Sequence, residues 1–222
     1  MGIRKLFKWN KGNKSQEMGD TTIDELEAFS KLREKAYHKL FGSDYQVSHE
    51  LEIKMPHIDV YICPPRKEGR PFYTLVSGGM SDFPMQLEEG VDHSYARREI
   101  ILYCDKPDDE LIGFVRFFAH FPFEFSTWLG SGHTVPNGAP PKPLFENSIL
   151  TGTYFMNTLL VSDRKLGEKL VFCGEPVEFL WAIPITQAEM DLKLEKGADA
   201  LLDLFEEHKH PLVLDRHRAS YV

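Results

Sequence analysis

Three segments set the fold: Ile58-Asp-Val-Tyr-Ile62, Tyr73-Thr-Leu-Val76 and Glu99-Ile-Ile-Leu-Tyr103. The first alternates with a period of two and is rich in β-branched residues, and the others share that character. Pro64-Pro65 and Gly69-Arg-Pro71 mark a turn between the first two, which predicts an antiparallel neighbouring pair. These strands follow one another as a run rather than in strict βαβ alternation. Helical periodicity flanks them. Thr22-Ile-Asp-Glu25 is a capping box, and Phe29, Leu32, Ala36 and Leu40 form a stripe that Gly42 ends. Pro107-Asp-Asp-Glu110 opens a second helix whose Leu111, Ile112, Phe114, Val115, Phe117 and Phe118 cover almost its whole circumference. That pattern predicts a helix at the centre of the domain, limited by Pro122.

Strands are expected again at Thr158–Val161, Leu170–Phe172 and Val177–Ile183. Thr186-Gln-Ala-Glu189 is a second capping box. Met190 and Leu194 pair along its helix, Gly197 breaks it, and Ala198, Leu201, Leu202 and Phe205 form the apolar face of a last helix. The polar segment from His208 to Val222 is expected along the surface. Strands in runs between helices define an α+β fold with a central, mainly antiparallel or mixed sheet packed by helices. Two units are expected: a basic arm and linker over 1–20, and one domain over 21–222.

Charge and cysteine usage narrow the function. The 222 residues hold 26 Lys and Arg against 34 Asp and Glu, a net charge of −8. An acidic chain is a poor ligand for nucleic acid and favours a cationic partner. Only the start is basic: Arg4, Lys5, Lys8, Lys11 and Lys14 alternate with Ile3, Leu6, Phe7 and Trp9. Such an arm either frays in solvent or touches an anionic membrane surface or partner. No run of about 18 apolar residues spans a membrane. Three scattered cysteines, Cys63, Cys104 and Cys173, form no C-x-x-C and fit a reducing, cytoplasmic setting, with each expected to be an inert packing residue.

Catalytic motifs are weak. Ser77-Gly-Gly-Met-Ser81 follows a strand but lacks both the spaced glycines and the Lys-Ser/Thr of a phosphate loop. There is no G-x-S-x-G elbow, and Ser81, Asp82 and His133 make a triad only on paper. The best metal set is His120, Glu124 and His133, with the alternative that His120 caps its helix. Arg97 or Arg98 either pairs with a carboxylate that orders the Ser77–Asp82 turn or is an edge charge. Trp128, beside the Gly- and Pro-rich 129–148 segment, is either core or an interface anchor.

Two blocks carry a resemblance: Tyr73-Thr-Leu-Val-Ser-Gly-Gly-Met-Ser-Asp-Phe-Pro-Met85 and Thr127-Trp-Leu-Gly-Ser-Gly-His-Thr-Val-Pro-Asn-Gly138. With Tyr95-Ala-Arg-Arg-Glu99, Ile183-Pro184, Glu189-Met190, Gly197–Phe205 and Val213-Leu-Asp215, they resemble the bacterial branch of the suppressor-of-fused family from about Tyr61 to Asp215. Ser77-Gly78 departs from the Thr-Ser expected before Gly79-Met80-Ser81. The resemblance implies an α+β domain without catalytic residues or cofactor. Its animal relatives restrain a transcription factor by holding an extended peptide, and its bacterial members look like immunity proteins that neutralise toxins. The expectation is therefore a non-enzymatic binding protein that occludes a basic toxin domain. A metal-dependent enzyme and a regulator binding an extended peptide are the alternatives. Ser77, Gly79, Met80, Ser81, Asp82, Trp128, His133 and Asn137 are the expected partner-binding residues.

Overall fold

The computed structural model describes residues 22–52, 54–67 and 69–222; the basic arm lies outside the described residues. The elements run α1 (Ile23–Phe41), β1 (Gln46–Ser48), β2 (Asp59–Cys63), β3 (Tyr73–Gly78), β4 (Arg98–Cys104), α2 (Asp109–Phe125), β5 (Thr134–Pro136), β6 (Leu150–Asn157), α3 (Val161–Gly167), β7 (Val171–Phe172), β8 (Glu175–Pro176), β9 (Glu178–Thr186), α4 (Gln187–Lys196) and α5 (Ala198–Glu207). Seven strands form one mixed sheet in the order β1-β2-β3-β4-β9-β6-β5, and β7 and β8 make a separate ribbon. The pair expected from the Pro and Gly turn is antiparallel, with Tyr61 opposite Val76. The exception to antiparallel pairing is at the centre, where β4 runs parallel to β9 with Ile100 opposite Leu180.

The parallel pair is the most deeply buried part of the sheet. Every residue of β4 is buried, and its side chains alternate between two cores. Ile101 and Tyr103 face the helices α1, α3, α4 and α5, whereas Ile100 and Leu102 face α2. Helices on both faces explain why the central strands read as continuous apolar runs.

Both capping boxes form as expected, at Thr22 with Glu25 and at Thr186 with Glu189. Four expectations change. The buried face of α1 is Phe29, Arg33, Tyr37 and Phe41, while Leu32 is exposed, because Arg33 turns inward to meet carboxylates. Helix α2 covers one face of the sheet rather than filling the centre, and it runs past Pro122 to Phe125. The proline removes one backbone donor from the ladder, and the helix ends one turn later, where the Pro122 carbonyl accepts from Ser126 and Thr127 N–H. Residues 158–161 are not a strand. Strand β6 ends at Asn157, and the Thr158 hydroxyl accepts from Leu160 N–H to turn the chain into α3. Finally, the segment after His208 is not simply surface. Arg218 is buried and grips both oxygens of Glu189 at 2.6 Å each, so the α4 capping carboxylate also anchors the end of the chain.

Candidate functional site

The two sequence blocks meet at one end of the sheet, and they do different things there. The first forms a buried polar knot. Strand β3 ends at Gly78, and Met80–Asp82 make a single tight helical turn. Gly79 sits at φ +120°, where a Cβ would lie 2.0 Å from the His57 carbonyl oxygen, so only glycine fits. The fully buried Glu99 carboxylate of β4 gathers the turn. It accepts from Ser77 Oγ at 2.5 Å, from Gly79 and Ser81 N–H at 3.1 Å each, and from Ser81 Oγ at 2.6 Å.

Cations close the knot from two sides. Arg33 of α1 donates to Asp82 and stands 3.9 Å from Glu99. Burial opposes the Arg33 charge, but Asp82 and Glu99 outweigh it and raise its pKa. Burial likewise pushes Asp82 up against the pull of Arg33. Arg97 donates to the carbonyls of Ser81 and Asp82 at 2.8 and 3.0 Å, and through Nε to Glu175 at 2.7 Å. An arginine thus does order the Ser77–Asp82 turn, but through backbone carbonyls, with Glu99 as the organising carboxylate. The departure at Ser77-Gly78 leaves the hydrogen bonding whole. Ser77 Oγ both donates to Glu99 and accepts from Ile100 N–H, and a Cβ on residue 78 would stand 2.6 Å from the Tyr61 ring.

Burial reassigns half of the expected contact residues. Ser77, Gly79, Met80 and Ser81 are inaccessible and shape the turn. Asp82 is partly exposed but occupied by Arg33. Nor does the paper triad assemble, because Ser81 is committed to Glu99 and Asp82 to Arg33.

The second block builds a surface. Trp128 and His133 are half-buried and touch edge to face at 4.3 Å between ring centres, and Tyr95 meets Trp128 at 6.0 Å. Gly130 permits this, since a Cβ there would stand 2.5 Å from the indole. Together with Phe121, Leu129, Val135 and Pro136, the pair lines a groove of about 410 Å³ beside the edge strand β5. The Trp128 Nε1 is buried and has no hydrogen-bond partner among the described residues. Burial lowers the His133 pKa, and Lys193 lowers it further. Asn137, by contrast, spends its side chain on the carbonyls of Lys142 and Pro143 and holds its own loop.

The three expected metal ligands are taken up separately. His120 Nε2 lies 2.8 Å from Glu50 Oε1, Glu124 pairs with Lys54 at 3.4 Å, and His133 packs on Trp128. His120 therefore joins the loop before β2 to α2 instead of capping its helix. Among the described residues, no group of three or more His, Cys, Asp or Glu side chains is arranged to hold a metal ion. Cys63 and Cys104 are buried, with burial pushing both thiols up to about 12, whereas Cys173 is exposed on the β7–β8 turn instead of packed. Among the described residues, no helix is long and apolar enough to cross a membrane.

An α+β domain with a mixed sheet covered on both faces, a polar knot at one sheet end and an aromatic groove beside it is the class these features define. A family profile for suppressor of fused protein (SUFU) matches residues 54–219, and the chain belongs to that family. The fold agrees. A solved SUFU homolog from Neisseria gonorrhoeae FA 1090 superposes with a TM-score of 0.66 at 19% identity, covering 88% of this chain and 98% of that one. The Sufu–Fu complex superposes at 0.60 with 15% identity, covering 89% of this chain and 92% of that one. Drosophila Suppressor of Fused does so at 0.60 with 16% identity and 89% coverage of this chain, which spans 51% of that longer structure. A comparison with curated proteins found no match.

Proposed function

We propose that the protein is a non-enzymatic, cytoplasmic protein-binding domain of the immunity type, which neutralises a basic toxin domain by occluding it. The observation that carries the proposal is membership of a family in which one similar structure is a complex between Sufu and a protein, Fu. The net charge of −8 supports a basic partner, because opposite charge accelerates encounter. The Trp128 and His133 groove supplies the desolvated anchor that such contacts require, since tryptophan is enriched among the few residues that carry binding energy. Of the expected contact residues, Trp128 and His133 are half-buried at this groove and Asp82 is partly exposed. The test is co-expression with toxin domains encoded beside the gene. The chain should restore growth against one of them, and failure against all of them counts against the immunity role.

A second reading, a regulator that holds an extended peptide, is favoured by one observation. Strand β5 is a sheet edge. Asn137 N–H bonds Thr151 on the β6 side, so alternation turns the backbone of Thr134 and Pro136 outward. Pro136 has no N–H to give, which shortens the ladder an added strand could form. A linear peptide binding as tightly as any folded partner would favour the regulator.

A further inference from the structure

Resting on the binding reading above, we infer that an arginine-bearing basic segment of the partner docks on the aromatic groove and on the acidic hollow next to it. The hollow, about 560 Å³, has an apolar wall of Pro84, Met85 and Leu87, and its carboxylates are Glu88, Glu89 and Glu175. Glu175 is matched by Arg97 at 2.7 Å, and the exposed His93 ring stands 3.9 Å from it. The neighbouring Glu178 is matched by Arg98 at 3.1 Å, and Asp82 by Arg33. Glu88 and Glu89 are exposed and, among the described residues, have no ion-pair partner. The arginines at this end of the sheet are therefore buried and paired, while Glu88 and Glu89 stand exposed.

Groove and hollow are adjacent. Tyr95 touches Trp128 on one side, and the following Ala96 and Arg97 line the hollow. Glu88 also acts electrostatically on His133 inside the groove. A guanidinium suits this pairing better than an ammonium. It is flat, forks onto carboxylates and stacks on an indole. Lys193 also lines the groove, where it bonds Thr134 Oγ1 at 3.5 Å.

The probe is a fluorescein-labelled nona-arginine peptide, titrated against the full chain by anisotropy at physiological salt. One variant carries Glu88→Gln with Glu89→Gln; a control of equal charge change carries Glu206→Gln with Glu207→Gln on the exposed end of α5. Saturable one-to-one binding is expected, weakened about tenfold by the first pair and less than about twofold by the control. Equal weakening by both pairs would mean a response to net charge alone, and that result, or no saturable binding, overturns the inference. A toxin partner that depends on Trp128 but ignores the Glu88 and Glu89 substitutions would overturn this inference while leaving the proposed function standing.

Discussion

Substituting Glu99→Gln removes one charge and keeps nearly the same shape, so it isolates what the buried carboxylate does. Three donors converge on Glu99 Oε1, and Ser77 Oγ donates to Oε2. A glutamine carbonyl can still accept at the first position. At the second it presents an amide to a hydroxyl that already accepts from Ile100 N–H, so the Ser77 proton loses its acceptor. Arg33, 3.9 Å away, also loses one of its two counter-charges. At an effective dielectric of about 20 that attraction is about 4 kcal/mol gross. Relief of the carboxylate's own desolvation offsets part of the loss. Charge-assisted hydrogen bonds contribute about 1.5–3 kcal/mol each, and breaking a buried pair at one end costs about 3–5 kcal/mol. The net expectation is a loss of about 3 kcal/mol, or a Tm drop of about 6–12 °C for a domain of this size. Urea unfolding followed by far-UV circular dichroism measures it, with Ser81→Ala as a single-donor control expected to lose about 1–2 kcal/mol. A Glu99→Gln loss below about 1 kcal/mol would refute the carboxylate as organiser of the turn.

Three further outcomes follow from the geometry. Gly79→Ala meets both a positive φ and the His57 carbonyl at 2.0 Å, and should cost about 2–4 kcal/mol in thermal unfolding; a loss near zero would mean that the turn is not held there. Arg218→Ala leaves Glu189 buried without its bidentate partner and should cost about 3–5 kcal/mol by urea unfolding, against little change on truncating an exposed neighbour such as Lys209. His210 is mostly buried between Phe205 and Tyr221, and burial, aided by Arg218, lowers its pKa to about 4. The unfolded histidine therefore binds a proton first as pH falls, and stability is lost progressively between about pH 6.5 and 4, by about 2 kcal/mol after allowance for partial exposure. His210→Phe should flatten that part of the stability curve, and an unchanged pH dependence would remove His210 as its source.

Strands β2, β3, β4 and β9, both capping boxes and the α+β class were legible because each rests on local periodicity or a four-residue signature, whereas β5 and β6 went unread and the strand expected at 158–161 does not form. The parallel contact of β4 with β9 was not, since its partners are 80 residues apart and nothing local encodes it. Arg33 escaped the helical stripe for a related reason. A charged residue reads as exposed until its carboxylates, 49 and 66 positions later, are placed beside it. The wording of Ser77–Asp82 marked the turn as unusual without saying whether it faces solvent, and only Glu99 of β4 and Arg97 just before it show that its specificity is internal. The Trp128 and His133 neighbourhood was partly legible, because a glycine-rich stretch beside a tryptophan permits close ring contact. The metal grouping failed because Glu50 and Lys54, from the loop before β2, claim the side chains of α2.

The central claim is that this domain works by holding a protein partner at the Trp128 groove. The most direct test is affinity capture of the intact chain and of its Trp128→Ala variant from the native cells, with mass spectrometry of what each retains and circular dichroism to confirm that both are folded. One stoichiometric, basic partner held by the intact chain and lost from the folded variant is the predicted result. A partner retained equally by both would contradict the groove as the binding site, and no partner on either would contradict the binding function itself.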